Sequence, residues 1–387
     1  MRVVIAPDRF SGTLTAAEAA ESIAAGWRAG APHDELVALP LSDGDAGFLD
    51  VLAPAVGGVT LAVTVSDPLG RPVPAAVLLA DRGGVPTAYL DAGQACGPQL
   101  LADEERDPTP TTSAGAGQLL RAALGLGARR IVVGVGPTAT NDAGAGLLSA
   151  LGVGRAGLLE AGGLVLGQLT ADDLAGLDAA VGRFREVELV LATAADLPLL
   201  GLQGTSATEA AARGATPEQG QALEFALGHF SDLVRRLRPG RSDLLTGRAG
   251  RLDKEPGAGA GGGLGYALLV LGGRRVSGVD VVAGAVGLRD AIGGADLVVT
   301  GEGTYDWQSL RDSVTARVAQ VALEHAVPSI VLAGQVRLGR REAMAAGLSG
   351  TYAVADRPEE VAAALADPAG TLRARATRVA ATWSPAT

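Results

Sequence analysis

Short apolar runs alternate along this chain with stretches in which alanine and leucine recur at helical intervals, the pattern of an α/β protein. The opening "RVVIAPD" reads as a buried strand. Residues 15–29 follow as a helix, because Thr15 and Glu18 stand at capping-box spacing ahead of Ile23 and a series of alanines. "DELVALPLSDGDAG" predicts a second strand running into an acidic, glycine-containing loop. Over residues 59–91 the period changes to two, with turn signals at Asp67-Pro68-Leu69-Gly70 and Gly83-Gly84, which predicts an antiparallel meander.

Beyond it, "TTSAGAGQLLRAALGLGA" is helical, "RRIVVGVG" is a strand, and "PTATNDAGAGLLSALG" starts as a loop and becomes a helix. Residues 206–250 read as mostly helical and arginine-rich. The remainder predicts a glycine-rich loop feeding a helix, a strand at 295–300, a helix near 309–325, a strand in "PSIVLAG" and a last helix from about 358. The final strands match the first in composition. The economical arrangement is therefore a discontinuous α/β domain built from residues 1–58 plus 288–387, with a second α/β domain, 59–287, inserted.

Composition narrows the function. At 387 residues and 48% hydrophobic the chain can bury more than one core. A formal net charge of -10 argues against a sequence-independent grip on nucleic acid or an anionic membrane, so any small anionic substrate needs a local cationic pocket. Cys96 is the only cysteine, which excludes an internal disulfide and fits a reducing cytoplasm. With one Cys and three His, zinc is not expected. Pro7 and Asp8 come too early for the apolar core of a signal peptide. The charge-free run from Pro256 to Gly273 has the length of a membrane span but carries eight glycines, so no span is predicted. Lys254 is the sole lysine, and cationic chemistry falls to arginine, as codon bias would produce.

Four loops carry candidate chemistry at the ends of strand-like runs. "APDRFSG" offers Asp8 and Arg9, "LSDGDAG" offers Asp43 and Asp45, "TATNDAGAG" offers Asn141 and Asp142 at a helix start, and "TGEGTYD" offers Glu302 and Asp306. The carboxyl ends of parallel strands are where α/β sheets bind ligands. Asn-Asp ahead of a helix serves either as a cap or as a ligand group. "PGAGAGGGLG" (Gly257, Gly259, Gly261, Gly262, Gly263) either turns backbone N–H groups toward a phosphate or makes a tight packing contact that leaves no room for side chains. It lacks the Lys-Ser/Thr ending of a Walker loop. Carboxylates beside a glycine-rich loop, without a nucleophilic cysteine or a histidine cluster, suit phosphoryl transfer.

These motifs carry a resemblance. "APDRFSGTLTAAEAAESIAAGW", "LPLSDGDAGFLDVL", "ERDPTPTTSAGAGQLL", "GVGPTATNDAGAGLLSALG", "PLLGLQGTSA", "RGATPEQ", "PGAGAGGGLG" and "TGEGTYDWQS" occur in the order and approximate spacing of the bacterial glycerate kinase family, across nearly the whole chain. The resemblance implies a discontinuous Rossmann/flavodoxin-like parallel-sheet domain with an inserted α/β domain. It further implies transfer of the ATP γ-phosphoryl group, with Mg²⁺, to a hydroxyl of D-glycerate or a related small hydroxy acid, commonly giving 2-phosphoglycerate. A cytoplasmic monomer or homodimer is expected. Carried onto this chain, it makes Asp8 or Asp43 the residue that orients or deprotonates the acceptor hydroxyl and Arg9 a nearby cation. Glu302 and Asp306 support metal or phosphate geometry. Asn141, Asp142, Asp196 and the glycines from 257 to 263 line the nucleotide side.

The chain departs from the family pattern at Ser11 and Ser313, where lysines are usual, at Thr304, where an arginine is usual, at Ala46 and at Leu197. Two functional readings follow: a kinase, or a ligand-binding homologue without the phosphate-handling cations. Phe48, Leu197 and Tyr305 replace smaller or more polar family residues and predict a more apolar cleft for a kinase with a different acceptor.

Overall fold

A computed structural model describes residues 1–10, 12–239 and 250–385. Ser11 and the end of the arginine-rich helical region, 240–249, lie outside the described residues. The strands are β1 (Arg2–Ile5), β2 (Glu35–Ala38), β3 (Val59–Ser66), β4 (Pro72–Asp81), β5 (Pro86–Asp91), β6 (Arg130–Gly134), β7 (Glu188–Ala192), β8 (Arg274–Val276), β9 (Leu297–Tyr305), β10 (Ser329–Val336) and β11 (Gly350–Ala353). They form two sheets, one in each of two compact units. One unit comprises Met1–Asp43, Asp50–Ala55 and Val279–Thr387, the other Gly44–Leu49 and Val56–Gly278.

In the first unit, discontinuous in three segments, the sheet order is β11-β10-β9-β1-β2, with every pair parallel. Its central strands read as unbroken apolar runs because both faces are covered. The chain steps from β1 to β2 in one direction and from β9 to β10 and β11 in the other. The topological switch point therefore falls between β1 and β9.

The first helix, Ala16–Gly30, begins as its sequence predicts. The Thr15 hydroxyl accepts from the Glu18 N–H at 3.2 Å, and the Thr15 N–H donates to Glu18 Oε2 at 2.9 Å. It buries Ile23 and Trp27 and lies so close to the helix Pro368–Trp383 that a Cβ on Gly26 or Gly30 would run into the Arg373 or Thr377 carbonyl oxygen. The last helical stretch is two helices rather than one. Asp367 ends Pro358–Ala366 and caps Pro368–Trp383 by accepting from the Gly370 N–H at 2.9 Å, and Pro368 has no N–H with which to continue the earlier helix.

A buried polar knot ties this unit together. The Asp34 carboxylate accepts from the Met1 amine at 2.7 Å, the Trp27 indole Nε1 at 2.8 Å and the Ser384 hydroxyl at 2.9 Å. Burial alone would raise its pKa, but these donors outweigh it and hold Asp34 below its ordinary value of 3.8. A carboxylate held down in the folded state adds stability that is present above its unfolded value and is lost as pH falls through the folded one. Asp34→Ala is expected to cost about 2 kcal/mol at pH 7, because it leaves the buried Trp27 indole and Ser384 hydroxyl without their acceptor. Thermal melts should show the gap to the parent protein closing as pH falls through and below the ordinary carboxylate range. A gap that is constant with pH would make the loss one of packing alone.

Two expectations change around β9. Its polar end, Thr300 to Tyr305, continues as strand instead of leaving as a loop, because β10 runs alongside as far as the Gln335–Thr304 and Val336–Tyr305 pairs. The helix expected near 309–325 begins only at Val314, preceded by a 3₁₀ turn at Trp307–Leu310.

The second unit holds the expected meander, β3 antiparallel to β4 and β4 to β5, extended by β6, β7 and β8 in parallel. Its core gathers Leu119, Leu120, Ile131, Leu148, Leu191, Phe230 and Leu268. Among the described residues no helix is long and apolar enough to cross a membrane.

Candidate functional site

The discontinuous unit brings three carboxylates to its switch point. After β1 the chain turns across to β9, where the Asp8 N–H donates to the Gly301 carbonyl at 2.8 Å. The segment after β2 is tied alongside by the Leu41 N–H donating to the Pro7 carbonyl at 2.9 Å, which carries Asp43 to the same end of the sheet. Glu302 stands on β9 itself. Asp8 is partly exposed and its carboxylate accepts from the Arg9 N–H at 2.8 Å. Desolvation, then the charge of Asp43 and more weakly that of Glu302, push Asp8 well above the usual carboxylate range, while Arg9 works in the opposite direction.

Glu302 is also raised, first by burial and then by Asp306 and Asp43, with the Thr315 and Ser309 hydroxyls opposing. The Ser309 hydroxyl donates to Glu302 Oε2 at 2.8 Å and accepts from the Asp306 N–H at 3.1 Å. Asp306 accepts from the Gln308 N–H at 2.9 Å and so starts the 3₁₀ turn. Glu302 Oε1, the Thr315 hydroxyl and the Tyr305 hydroxyl are buried without a hydrogen bond of good geometry. Among the described residues no three His, Cys, Asp or Glu side chains are placed to hold a metal ion.

The second unit gathers another polar group around the loop from Thr138 to Asp142. Asp142 is buried, and its carboxylate accepts from the Ser113 N–H at 2.9 Å, the Ser113 hydroxyl at 2.8 Å, the Gly144 N–H at 3.0 Å and the Gly146 N–H at 3.1 Å. Burial still raises it above its ordinary range against those donors. This is a cap for the helix Ala145–Ala150. Asn141 is also buried; its Nδ2 donates to the Ser206 hydroxyl at 3.2 Å and its Oδ1 has no partner.

The glycine run packs against this loop. Gly261, Gly262 and Gly263 have φ of 59°, 68° and 90°, a left-handed turn that glycine adopts without strain. A Cβ on Gly263 would sit 2.6 Å from the Ala143 Cα, and one on Gly262 would collide with the Thr140 carbonyl. Gly257 is likewise left-handed, and the Gly259 N–H donates to the Leu197 carbonyl at 3.0 Å. The run thus makes a close backbone contact that leaves no room for side chains. Asp196 is exposed beside it.

The departures from the family pattern acquire local explanations. Ser313 caps the helix Val314–Glu324 by accepting from the Ala316 N–H at 3.1 Å. Thr304 is a strand residue facing Gln335 in the β9–β10 register. Phe48 and Tyr305 are fully buried, Phe48 against Gly134 and Tyr305 beside Val331 and Ala333. The apolar-cleft expectation therefore fails for two of its three residues, and only Leu197 stays partly exposed. For Tyr305 strand alternation is the reason, since continuing β9 turns it inward; Phe48 starts the helix Phe48–Val56 and packs on Gly134. Arg311 and Lys254 are exposed, whereas Arg9 acts electrostatically on Asp8.

Sequence reasoning passed over Ser113, Ser206, Ser309, Thr315 and the detailed part played by Arg213. Each lies inside a motif quoted above or just after it, but a single hydroxyl or arginine in a loop gives no periodic signal.

Comparison with known proteins agrees across the chain. The glycerate kinase family profile matches residues 3–384. An uncharacterized protein of Mycobacterium bovis is 39% identical over 98% of this chain and 91% of its own. The glycerate kinase of Bacillus subtilis is 38% identical over 87% of this chain and 85% of its own, and the glycerate 2-kinase of Escherichia coli 34% identical over 87% and 86%. A solved structure named for glycerate kinase 2 of Salmonella typhimurium LT2 superposes with a TM-score of 0.76 at 34% identity, over 99% of this chain and 98% of that one. The chain belongs to the glycerate kinase family.

Proposed function

We propose that this protein transfers the γ-phosphoryl group of ATP to a hydroxyl of D-glycerate, giving 2-phosphoglycerate. The observation that carries the reading is the convergence of Asp8, Asp43 and Glu302 at the β1/β9 switch point, with Arg9 as the local cation. Asp8 accepts the proton of the acceptor hydroxyl. Its raised pKa makes it a stronger base than an ordinary carboxylate while leaving it ionised at a suitable pH. Asp43 supports it by charge and orients the same hydroxyl. Arg9 holds the substrate carboxylate or the transferring phosphate, where a cation contributes most.

Glu302 and Asp306 would hold the Mg²⁺ that accompanies ATP. Glu302 Oε1, buried without a hydrogen bond of good geometry, fits that role, and two carboxylates suffice where phosphates and waters complete the shell. The ion would supply charge neutralisation on the phosphates. Asn141 and Asp196 face the nucleotide in this reading, while Asp142 and the glycine run shape the loop behind them.

A second reading, a homologue that binds ligands without turnover, is favoured by one observation: Ser313 stands as a helix cap where the family pattern has a lysine. Phosphorus NMR with MgATP and D-glycerate, then a panel of other small hydroxy acids, separates the two. A new phosphomonoester resonance is expected, and its splitting identifies the hydroxyl. No transfer to any acceptor while ATP or glycerate still binds would overturn the kinase reading in favour of the second.

A further inference from the structure

Arg213 is the one arginine whose burial sets it apart among the described side chains. Its side chain is 5% exposed, and all three of its nitrogen groups are engaged. Nε donates to the Thr138 carbonyl at 3.0 Å, Nη1 donates to the Thr205 hydroxyl at 3.3 Å, and Nη2 is paired with Glu209. From the same short segment the Ser206 hydroxyl accepts from Asn141 Nδ2 at 3.2 Å. Residues 205–213 therefore grip the loop at both ends, by its backbone at Thr138 and by a side chain at Asn141. The opposite flank is closed by the glycine run, where the Ala143 N–H donates to the Gly262 carbonyl at 3.1 Å.

We infer that Arg213 is a positioning residue that fixes the Thr138–Asn141 loop for nucleotide binding and does not itself meet a phosphate. The guanidinium is shut away from solvent where it lies, with its charge already met by Glu209, so it offers no open face to a phosphate. The planar fork matters because three acceptors lie around one guanidinium, and a single ammonium cannot reach all of them at once. Glu209 completes the device by neutralising the charge. The inference rests on the assignment of this loop to the nucleotide in the reading above.

The test is calorimetric titration of MgATP and, separately, of D-glycerate into the parent protein, Arg213→Lys and Glu209→Gln, with circular dichroism and melts on each. Displacing a binding loop by a fraction of an ångström should weaken MgATP about tenfold in Arg213→Lys while D-glycerate stays within about twofold. Glu209→Gln should shift MgATP in the same direction by less. Unchanged MgATP affinity in Arg213→Lys, or equal weakening of both ligands, overturns the inference. If the parent binds MgATP without phosphorylating any acceptor, the titrations still decide the matter and only the kinase reading falls. If the parent does not bind MgATP, both fall.

Discussion

Asp8→Asn is expected to lower kcat by about 10²–10⁴ while raising the melting temperature at neutral pH. Both effects come from one cause. Burial and the neighbouring carboxylates lift the Asp8 pKa in the folded protein. Between its ordinary value and that raised value the folded state binds more protons than the unfolded one. Stability therefore falls as pH rises through the window, and above it the ionised carboxylate remains a cost. Asparagine removes the cost and, with it, the base. The parent kcat/KM should fall on the acid side with an inflection above the ordinary carboxylate range, and Asp8→Asn should lack that limb. Rate profiles and melts from pH 4 to 9 check both halves, and a variant with unchanged turnover would take Asp8 out of the reaction.

Asp142→Ala should be the most damaging substitution for the second unit. It leaves the Ser113 N–H, the Ser113 hydroxyl, the Gly144 N–H and the Gly146 N–H without their acceptor. At about 1–3 kcal/mol for each stranded donor, with partial relief from entering water, the loss should reach about 4 kcal/mol. Asp142→Asn should recover only part of it, since an amide offers one oxygen to a site full of donors. Urea unfolding, with hydrogen exchange at residues 113–117 and 144–150, measures the loss. If Asp142→Ala instead keeps full stability and loses only nucleotide binding, Asp142 is a ligand group and not a cap.

The elements that could be read from the sequence were those with a local cause. The capping box at Thr15 and Glu18 sets the first helix, period-two alternation sets the meander, and apolar runs set β1, β6 and β10. The family motifs assigned the whole chain to its fold. What escaped was decided by neighbours distant in sequence. "TGEGTY" is polar enough to read as a loop, and only β10 alongside keeps it extended. Tyr305 and Phe48 look like cleft residues until that register and Gly134 turn them into core. The glycine run offered two physical roles, and only the loop from Thr138 to Ala143 lying against it shows where its missing side chains matter. At the candidate site the carboxylates were legible by type and position. The hydroxyls that aim them, Ser113 and Ser309, were not, because hydrogen bonding between loops leaves no pattern in either loop.

The pairing of β1 with β9 sets an order of events in the making of this protein. The Arg2 N–H donates to the Asp296 carboxylate across 294 residues, and Val3 lies opposite Leu297. At a ribosomal rate of about 5–20 residues per second, the apolar "RVVI" strand waits roughly 15–60 s for its neighbour. By then every segment of the second unit, Gly44–Leu49 and Val56–Gly278, has been synthesised. The sheet of this unit is therefore completed late, around a strand that was among the first residues made, through a contact of very high sequence separation.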